Sequence, residues 1–300
     1  SGAWFNGSGP ASAVASVNAD GSVSLVEGSP DIGGSRTAMA MQVADILRLD
    51  VNDVSPSIGT TDSIGYSSGA GGSGVTFKTG IACVEAAKDI QDQMRLRAAM
   101  IWDVEIDEVE YADGNISHIS DPELRFTFSE LASQLNSTGG PIVGRATVNP
   151  GGVGNAFAVH IVDVEVDKET GKVDVLRYTS IQDVGKAIHP SYVEGQLQGG
   201  AVQGIGWALN EEYVFSEDGR MDNATFLDYR MPVSLDLPMI DTVLVEVANP
   251  GHPFGLRGVG EACLIPPMAA LANAIYDAVG VRLNDLPMSP SKVFKALKNY

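Results

Sequence analysis

Apolar and polar positions alternate along this chain with two different periods, and the switches between them divide it into elements. In "SAVASVNADGSVSLVEGS" every second residue is apolar on both sides of Asn18-Ala19-Asp20-Gly21, the pattern of two strands joined by a tight turn. The period then changes in "PDIGGSRTAMAMQVADILRLD". Gly33 and Gly34 form a turn, Ser35 is placed to cap, and Met39, Val43, Ile46 and Leu47 recur at helical spacing. After a short strand-like stretch, "VNDVSPSIGTTDS", the Gly/Ser run "GYSSGAGGSG" (Gly65 to Gly74) opens directly onto a helical pattern from about Val75 to about Ile101. Linkers share that composition but seldom open onto a long helix, so a tight, packed loop is expected.

A second hairpin follows in "FAVHIVDVEVDKETGKVDVLRYTSIQDVG", turning at Lys168 to Gly171, and then a helix rich in small residues, "HPSYVEGQLQGGAVQGIGWALNEE". Hairpin, glycine corner and helix thus occur in the same order near residues 12 to 48 and 156 to 210. The last third reads as a strand, "IDTVLVEVANPG", the loop "FGLRGVGEACLI", and a helix that Pro266 and Pro267 start and Gly280 ends. A closing helix runs from Ser289, with lysines toward its C-terminal end. The expected fold is α+β, with two lobes, each a β-hairpin or mixed sheet packed against helices with glycine-rich corners. A seam in "GGPIVGRATVNPGGVGN" divides it into residues 1–145 and 146–300.

Composition narrows the function. With 300 residues and 44% hydrophobic content the chain can bury a sizeable core. A formal net charge of −19 with only 19 Lys and Arg disfavours nucleic acid and anionic lipid as partners. No apolar run is expected to reach the roughly 18 residues of a membrane span, and no export signal is visible, so a cytoplasmic location is expected. Cys83 and Cys263 are far apart in sequence. Two isolated cysteines cannot hold an iron–sulfur cluster or build a zinc site.

Five glycine corners, "GSPDIGGS", "GAGGSG", "NPGGVGN", "GQLQGGAVQGIG" and "GLRGVGE", match neither the phosphate loop nor a complete dinucleotide fingerprint. Each is an ordinary turn when taken singly. Several converging would instead let the main chain approach a bulky phosphorylated ligand closely. Gln196 and Gln203, seven residues apart, share a helical face and could read a heterocycle edge. His160, His189 and His252 have no His or Cys partner at metal-ligand spacing, so no side-chain metal site is expected.

Together "GSPDIGGSR", "GGSGVTFKTG", "DVGKAIHPSYVEGQLQGGAVQGIGWALNEE" and "RGVGEACLIPPMAALANAIYDAVG" resemble the C-terminal half of the molybdopterin-binding subunit of the xanthine dehydrogenase and aldehyde oxidase family. The resemblance runs over essentially the whole chain. It implies that Glu261, after Gly260, is a catalytic base, taking a proton from the hydroxyl that attacks an electron-poor substrate carbon. It places Ile32, Gly33 and Gly34 against the pterin, Gly71, Gly72 and Ser73 near the metal and substrate, and Gln196 on the cofactor; Gln203 is a candidate cofactor contact from its shared helical face with Gln196. Many relatives carry Gln in place of Gly34 and Arg in place of Gly74.

The family's N-terminal half has no counterpart in these 300 residues, a situation similar to split enzymes such as nicotinate dehydrogenase and to a trimmed subunit. The resemblance therefore implies partners: a chain carrying that N-terminal half, an iron–sulfur subunit and an FAD subunit. It implies molybdenum-molybdopterin as cofactor, in the cytosine dinucleotide form, and hydroxylation of an N-heterocycle or aldehyde with water-derived oxygen. The alternative is a non-catalytic cofactor-binding or assembly module, a degenerate paralogue.

Overall fold

The two hairpins read from alternation supply the central strands of two four-stranded sheets in the computed structural model, which describes residues 1–151 and 154–299. In chain order the elements are β1 (Gly2–Phe5), β2 (Ala11–Val17), β3 (Val23–Glu27), α1 (Ser35–Leu47), β4 (Val54–Ile58), α2 (Thr61–Ile64), α3 (Val75–Trp102), β5 (Val109–Ala112), β6 (Asn115–His118), β7 (Arg125–Thr127), α4 (Phe128–Gln134), β8 (Val143–Val148), β9 (Asn155–Val166), β10 (Val173–Asp183), α5 (Pro190–Leu209), β11 (Ile240–Val245), α6 (Pro266–Val279) and α7 (Pro290–Lys298). The chain divides into an N-terminal unit, Asn6–Val153 with Asn249–Leu256, and a C-terminal unit, Ser1–Phe5, Gly154–Ala248 and Arg257–Tyr300. The fold is α+β with two lobes. A single cut at 145/146 differs from this division, because two short segments cross over and the cut falls inside β8.

In the N-terminal unit the sheet order is β4-β3-β2-β8, with β3 parallel to β4 and the other pairs antiparallel. α1 makes the crossover that parallel pairing requires. Met39, Val43 and Leu47 of α1 are fully buried with Ile90 and Met94 of α3. β8 lies where the sequence reads as a seam, because two of its three inward positions are Gly144 and Ala146. A Cβ on Gly144 would fall against the Ala86 carbonyl of α3. Close approach of the helix needs small residues there, and these leave no apolar alternation to read. The corner "NPGGVGN" contains Gly152 and Val153, which lie outside the described residues. A small sheet, β5-β6-β7, and α4 complete this unit.

In the C-terminal unit the order is β1-β9-β10-β11, antiparallel except for the β10–β11 pair. α5 and α6 cover one face, burying Ala201, Ile205, Leu271 and Ile275. Ala262–Val279 is an 18-residue stretch of mean hydropathy 1.4, long and apolar enough to cross a bilayer, which corrects the expectation that no run reaches that length. Here α6, within that stretch, packs on β9 and α5, with Pro266 and Pro267 in its first turn and Gly280 as its left-handed cap, as the sequence predicts.

Candidate functional site

β3 ends at Glu27, and the chain turns through residues 28–34 into α1. Glu27 is fully buried. Its Oε2 accepts from the Ser29 N–H at 2.6 Å, and its Oε1 has no hydrogen-bond partner. Burial outweighs that one hydrogen bond and raises its pKa to about 7. Beside it the Ser29 and Thr79 hydroxyls lie 2.6 Å apart, and the Cys83 thiol is pushed up by burial and then by the Glu27 charge.

Further along this loop Ile32 is 55% exposed, and Gly33 and Gly34 both have positive φ (63° and 76°), a pair that side-chain-bearing residues adopt only with strain. Ser35 is not the cap the sequence suggests. It is the first helical residue, its hydroxyl accepting from the Ile32 N–H and donating to the Pro30 carbonyl, both at 3.3 Å. Gly34 takes the cap position without a side-chain hydrogen bond. The Arg36 N–H in the first turn is instead capped by Asp31 Oδ1 at 3.1 Å.

The second glycine loop abuts the first, since a Cβ on Gly28 would lie 2.7 Å from Ser67 Oγ. Gly72 and Ser73 have positive φ (67° and 52°). The Gly7 N–H donates to the Gly72 carbonyl at 2.5 Å, and a Cβ on Gly7 or Gly74 would strike the facing backbone. That packing explains why position 74 holds no long side chain. In contrast, a Cβ on Gly71 would meet nothing within 4 Å. The loop is fastened by Lys78, which sequence reasoning missed. Its buried ammonium donates to Ser68 O (2.8 Å), Ser68 Oγ (2.5 Å) and Gly69 O (2.6 Å), using all three donors. Burial lowers its pKa.

In the C-terminal unit Glu261 is half-buried at the head of a short turn of helix, Ala262–Leu264. Its loop is held from two sides. Arg257 pairs with Asp183 at 3.2 Å, and buried Gln182 donates to the Val259 carbonyl at 3.0 Å; both partners lie at the end of β10. On the other side the Cys263 thiol donates to Gly260 O (3.1 Å) and to Gln196 O on α5 (3.3 Å). A Cβ on Gly200 would collide with Cys263 Sγ, and one on Gly204 would collide with the Pro267 ring. Glycines on α5 thus let the Glu261 loop lie against the helix beside Gln196. The structure therefore brings together Gln196, Gly260 and Glu261 in this unit; in the other, Ile32, Gly33 and Gly34 lie on the first glycine loop and Gly71, Gly72 and Ser73 on the second.

Gln203, two turns beyond Gln196, is exposed and lines a cavity of about 490 Å³ with Trp207, Glu211, Tyr213 and Tyr229. Gly195 and Gly199 flank Gln196, and a Cβ on either would meet nothing within 4 Å. Packing within the chain gives no reason for these two helical glycines, each of which costs about 1 kcal/mol relative to Ala.

The histidines serve the fold. His160 is engaged through both nitrogens, Nδ1 with Tyr178 OH (2.7 Å) and Nε2 with Ser180 Oγ (2.9 Å), and burial lowers its pKa to about 4. His189 caps α5, accepting from the Tyr192 N–H at 3.3 Å. His252 accepts from the Phe254 N–H at 3.0 Å and packs on Phe77. Among the described residues no three His, Cys, Asp or Glu side chains are grouped to hold a metal ion.

Residues 1–238 match the family described as molybdopterin cofactor-binding domain. The chain is 30% identical over 293 residues to the 6-hydroxypseudooxynicotine dehydrogenase complex subunit gamma of Paenarthrobacter nicotinovorans, a match covering 93% of this chain and 36% of that protein. It is 30% identical over 293 residues to the putative xanthine dehydrogenase molybdenum-binding subunit XdhA of Escherichia coli, covering 93% and 38%. Similar solved structures include the Cu,Mo-CO dehydrogenase in its carbon monoxide reduced state (TM-score 0.88, 25% identity, 99% of this chain and 40% of that one). Quinoline 2-oxidoreductase of Pseudomonas putida 86 is another (TM-score 0.85, 27% identity, 97% and 38%). The chain spans a little over a third of the length of the curated relatives it matches.

Proposed function

This chain belongs to the molybdopterin cofactor-binding domain family, and from that premise we propose that it is the C-terminal half of a molybdenum hydroxylase catalytic subunit. With partner chains it would hydroxylate an N-heterocycle or an aldehyde using water-derived oxygen. The observation that carries this reading is the Glu261 loop, pinned against α5 beside Gln196 by Cys263, Gln182 and Arg257.

The residues present fit the cofactor. Gly195 and Gly199 leave a bare strip of α5 on either side of Gln196, where backbone can approach a flat ligand and the amide can hydrogen-bond a heterocycle. Gly33 and Gly34, without side chains, let the loop before α1 approach the group closely, and Gly71 faces open space. Gln196, Gln203 and Gly260 would contact the group in one unit, and Ile32, Gly33, Gly34, Gly71, Gly72 and Ser73 in the other. When bound, the group supplies the electron-accepting metal centre at which the substrate C–H bond is oxidised. No His or Cys cluster is needed for this, because the pterin itself carries the metal.

The work of the chain is positional and proton-transferring. Glu261 takes the proton of the water-derived nucleophile at its carboxylate, a role worth about 100-fold to 10,000-fold in rate. Its loop anchors fix where that carboxylate lies. Relatives named nicotine 6-hydroxylase large subunit, quinoline 2-oxidoreductase and aldehyde oxidoreductase molybdenum-binding subunit support the substrate class. The partners proposed are a chain with the N-terminal half of the subunit, an iron–sulfur chain and an FAD chain, and the cofactor form is the cytosine dinucleotide.

The test is Glu261→Gln in the assembled complex, with molybdenum measured by elemental analysis alongside turnover. A fall of about 100-fold or more at unchanged molybdenum content is expected. Near-normal turnover with full molybdenum would remove the role of Glu261, and a native complex without molybdenum would remove the hydroxylase reading.

A further inference from the structure

The outward face of the C-terminal unit's sheet is more apolar than the corresponding face of the other sheet. A sheet solvated on one side alternates apolar-in with polar-out. On the uncovered side of the N-terminal unit, Arg145, Val14, Val26 and Ser57 align in one row and Val143, Ser16, Ser24 and Ser55 in the next. On the uncovered side of the C-terminal unit's sheet, Val159, Ile181 and Val243 form the central row, with Phe157, Ile161 and Val245 beside it. Phe157 is 58% and Ile161 56% exposed. α5 and α6 occupy the opposite side, over Ala158 and Tyr178.

Two features say what kind of contact this face makes. Charge lies at its two ends: Asp163 pairs across the strands with Arg177, which bridges to Asp241 at 3.3 Å, and at the other end Asp183, paired across the strands with Val245, is bridged to Arg257 at 3.2 Å. Apolar centre and polar rim are the anatomy of a protein interface. The central strand also reads Ala156-Phe157-Ala158-Val159-His160-Ile161-Val162, nearly continuous in apolar residues, as strands buried on both faces do. Transient partners meet surfaces about as polar as the rest of a protein, whereas permanent ones meet faces resembling a divided core.

We propose that this face docks permanently against the part of the molybdopterin-binding subunit that relatives possess and this chain does not cover. The choice of occupant rests on the half-subunit reading above. It is supported by length: the matched region is only 36–38% of the curated relatives, so the larger part of such a subunit must be held by surfaces this chain provides.

The experiment is hydroxyl-radical footprinting of the full 300-residue chain, alone and in the complex purified from its native source, with every co-purifying chain identified by mass spectrometry. Should both parts lie on one polypeptide, that polypeptide is compared with the 300-residue chain expressed alone. Phe157 and Ile161 are expected to lose most of their labelling only when the part matching the uncovered region of the relatives is present. Phe157→Glu and Ile161→Glu, at sites exposed in the chain and therefore compatible with its folding, should weaken that association about tenfold or more. Ser24→Glu on the other sheet should not.

Equal labelling of Phe157 with and without that part overturns the inference. So does protection by a second copy of this chain, or by an iron–sulfur or flavin chain alone. A molybdenum-free complex in which Phe157 is still protected by the matching part leaves the docking face standing and removes the hydroxylase reading. Molybdenum and turnover with Phe157 fully labelled do the reverse.

Discussion

Glu27→Gln should flatten the pH dependence of the N-terminal unit's stability. The wild-type carboxyl is fully buried with Oε1 unpaired, so ionising it in the folded state is penalised and its pKa rises from 4.5 to about 7. A carboxyl that holds its proton more tightly when folded stabilises the fold below its unfolded pKa. That contribution is lost as pH rises from about 4.5 through about 7. A shift of this size corresponds to roughly 3 kcal/mol across the window.

Glutamine reproduces the neutral carboxyl. It keeps an acceptor for the Ser29 N–H and cannot ionise. The two proteins should therefore agree within about 1 kcal/mol near pH 4.5 and diverge to about 3 kcal/mol by pH 8, with the variant the more stable. Trp102, stacked on Phe126 at 5.2 Å, reports on this unit once Trp4 and Trp207, both in the other unit, are replaced by Phe. Urea unfolding followed by its fluorescence at several pH values measures the difference. Parallel stability curves from pH 4.5 to 8, or a variant less stable at pH 8, would refute the reasoning.

Other substitutions probe the remaining contacts. Lys78→Met leaves the Ser68 and Gly69 carbonyls without their donor and should cost about 1–3 kcal/mol in urea unfolding, with faster proteolysis in residues 65–74; an unchanged midpoint would show that the clamp contributes nothing. Gly200→Ala drives a Cβ into Cys263 Sγ and should cost about 1–3 kcal/mol. Cys263→Ala should relieve part of that cost, and strict additivity of the two changes would argue against the contact. Gly195→Ala and Gly199→Ala should each stabilise α5 in the isolated chain by about 1 kcal/mol while lowering the molybdenum content of the assembled complex. Full molybdenum occupancy in both would mean that nothing approaches α5 at those positions.

Periodicity and punctuation carried most of the secondary structure. Alternation around Asn18 to Gly21 and around Lys168 to Gly171 marked both central hairpins, and the Pro266-Pro267 start and Gly280 stop bounded α6. These are local signals, set by side-chain period and by backbone angles that Pro and Gly favour. The motifs around Gln196 and Glu261 pointed to the family for a similar reason, since each is one short contiguous segment.

Tertiary structure decided what lies between those segments. β1 joins β9 from about 150 residues away in sequence, and β8 hides in a run in which two of the three inward residues are Gly144 and Ala146. Lys78 reads as an ordinary helical lysine until Ser68 and Gly69 are folded over it. Gly7, Gly74 and Gly200 read as turns or helix filler, yet each admits a facing backbone or side chain that a Cβ would exclude. Contacts of this kind depend on the absence of atoms at positions distant in sequence, and they leave no period along the chain from which to read them.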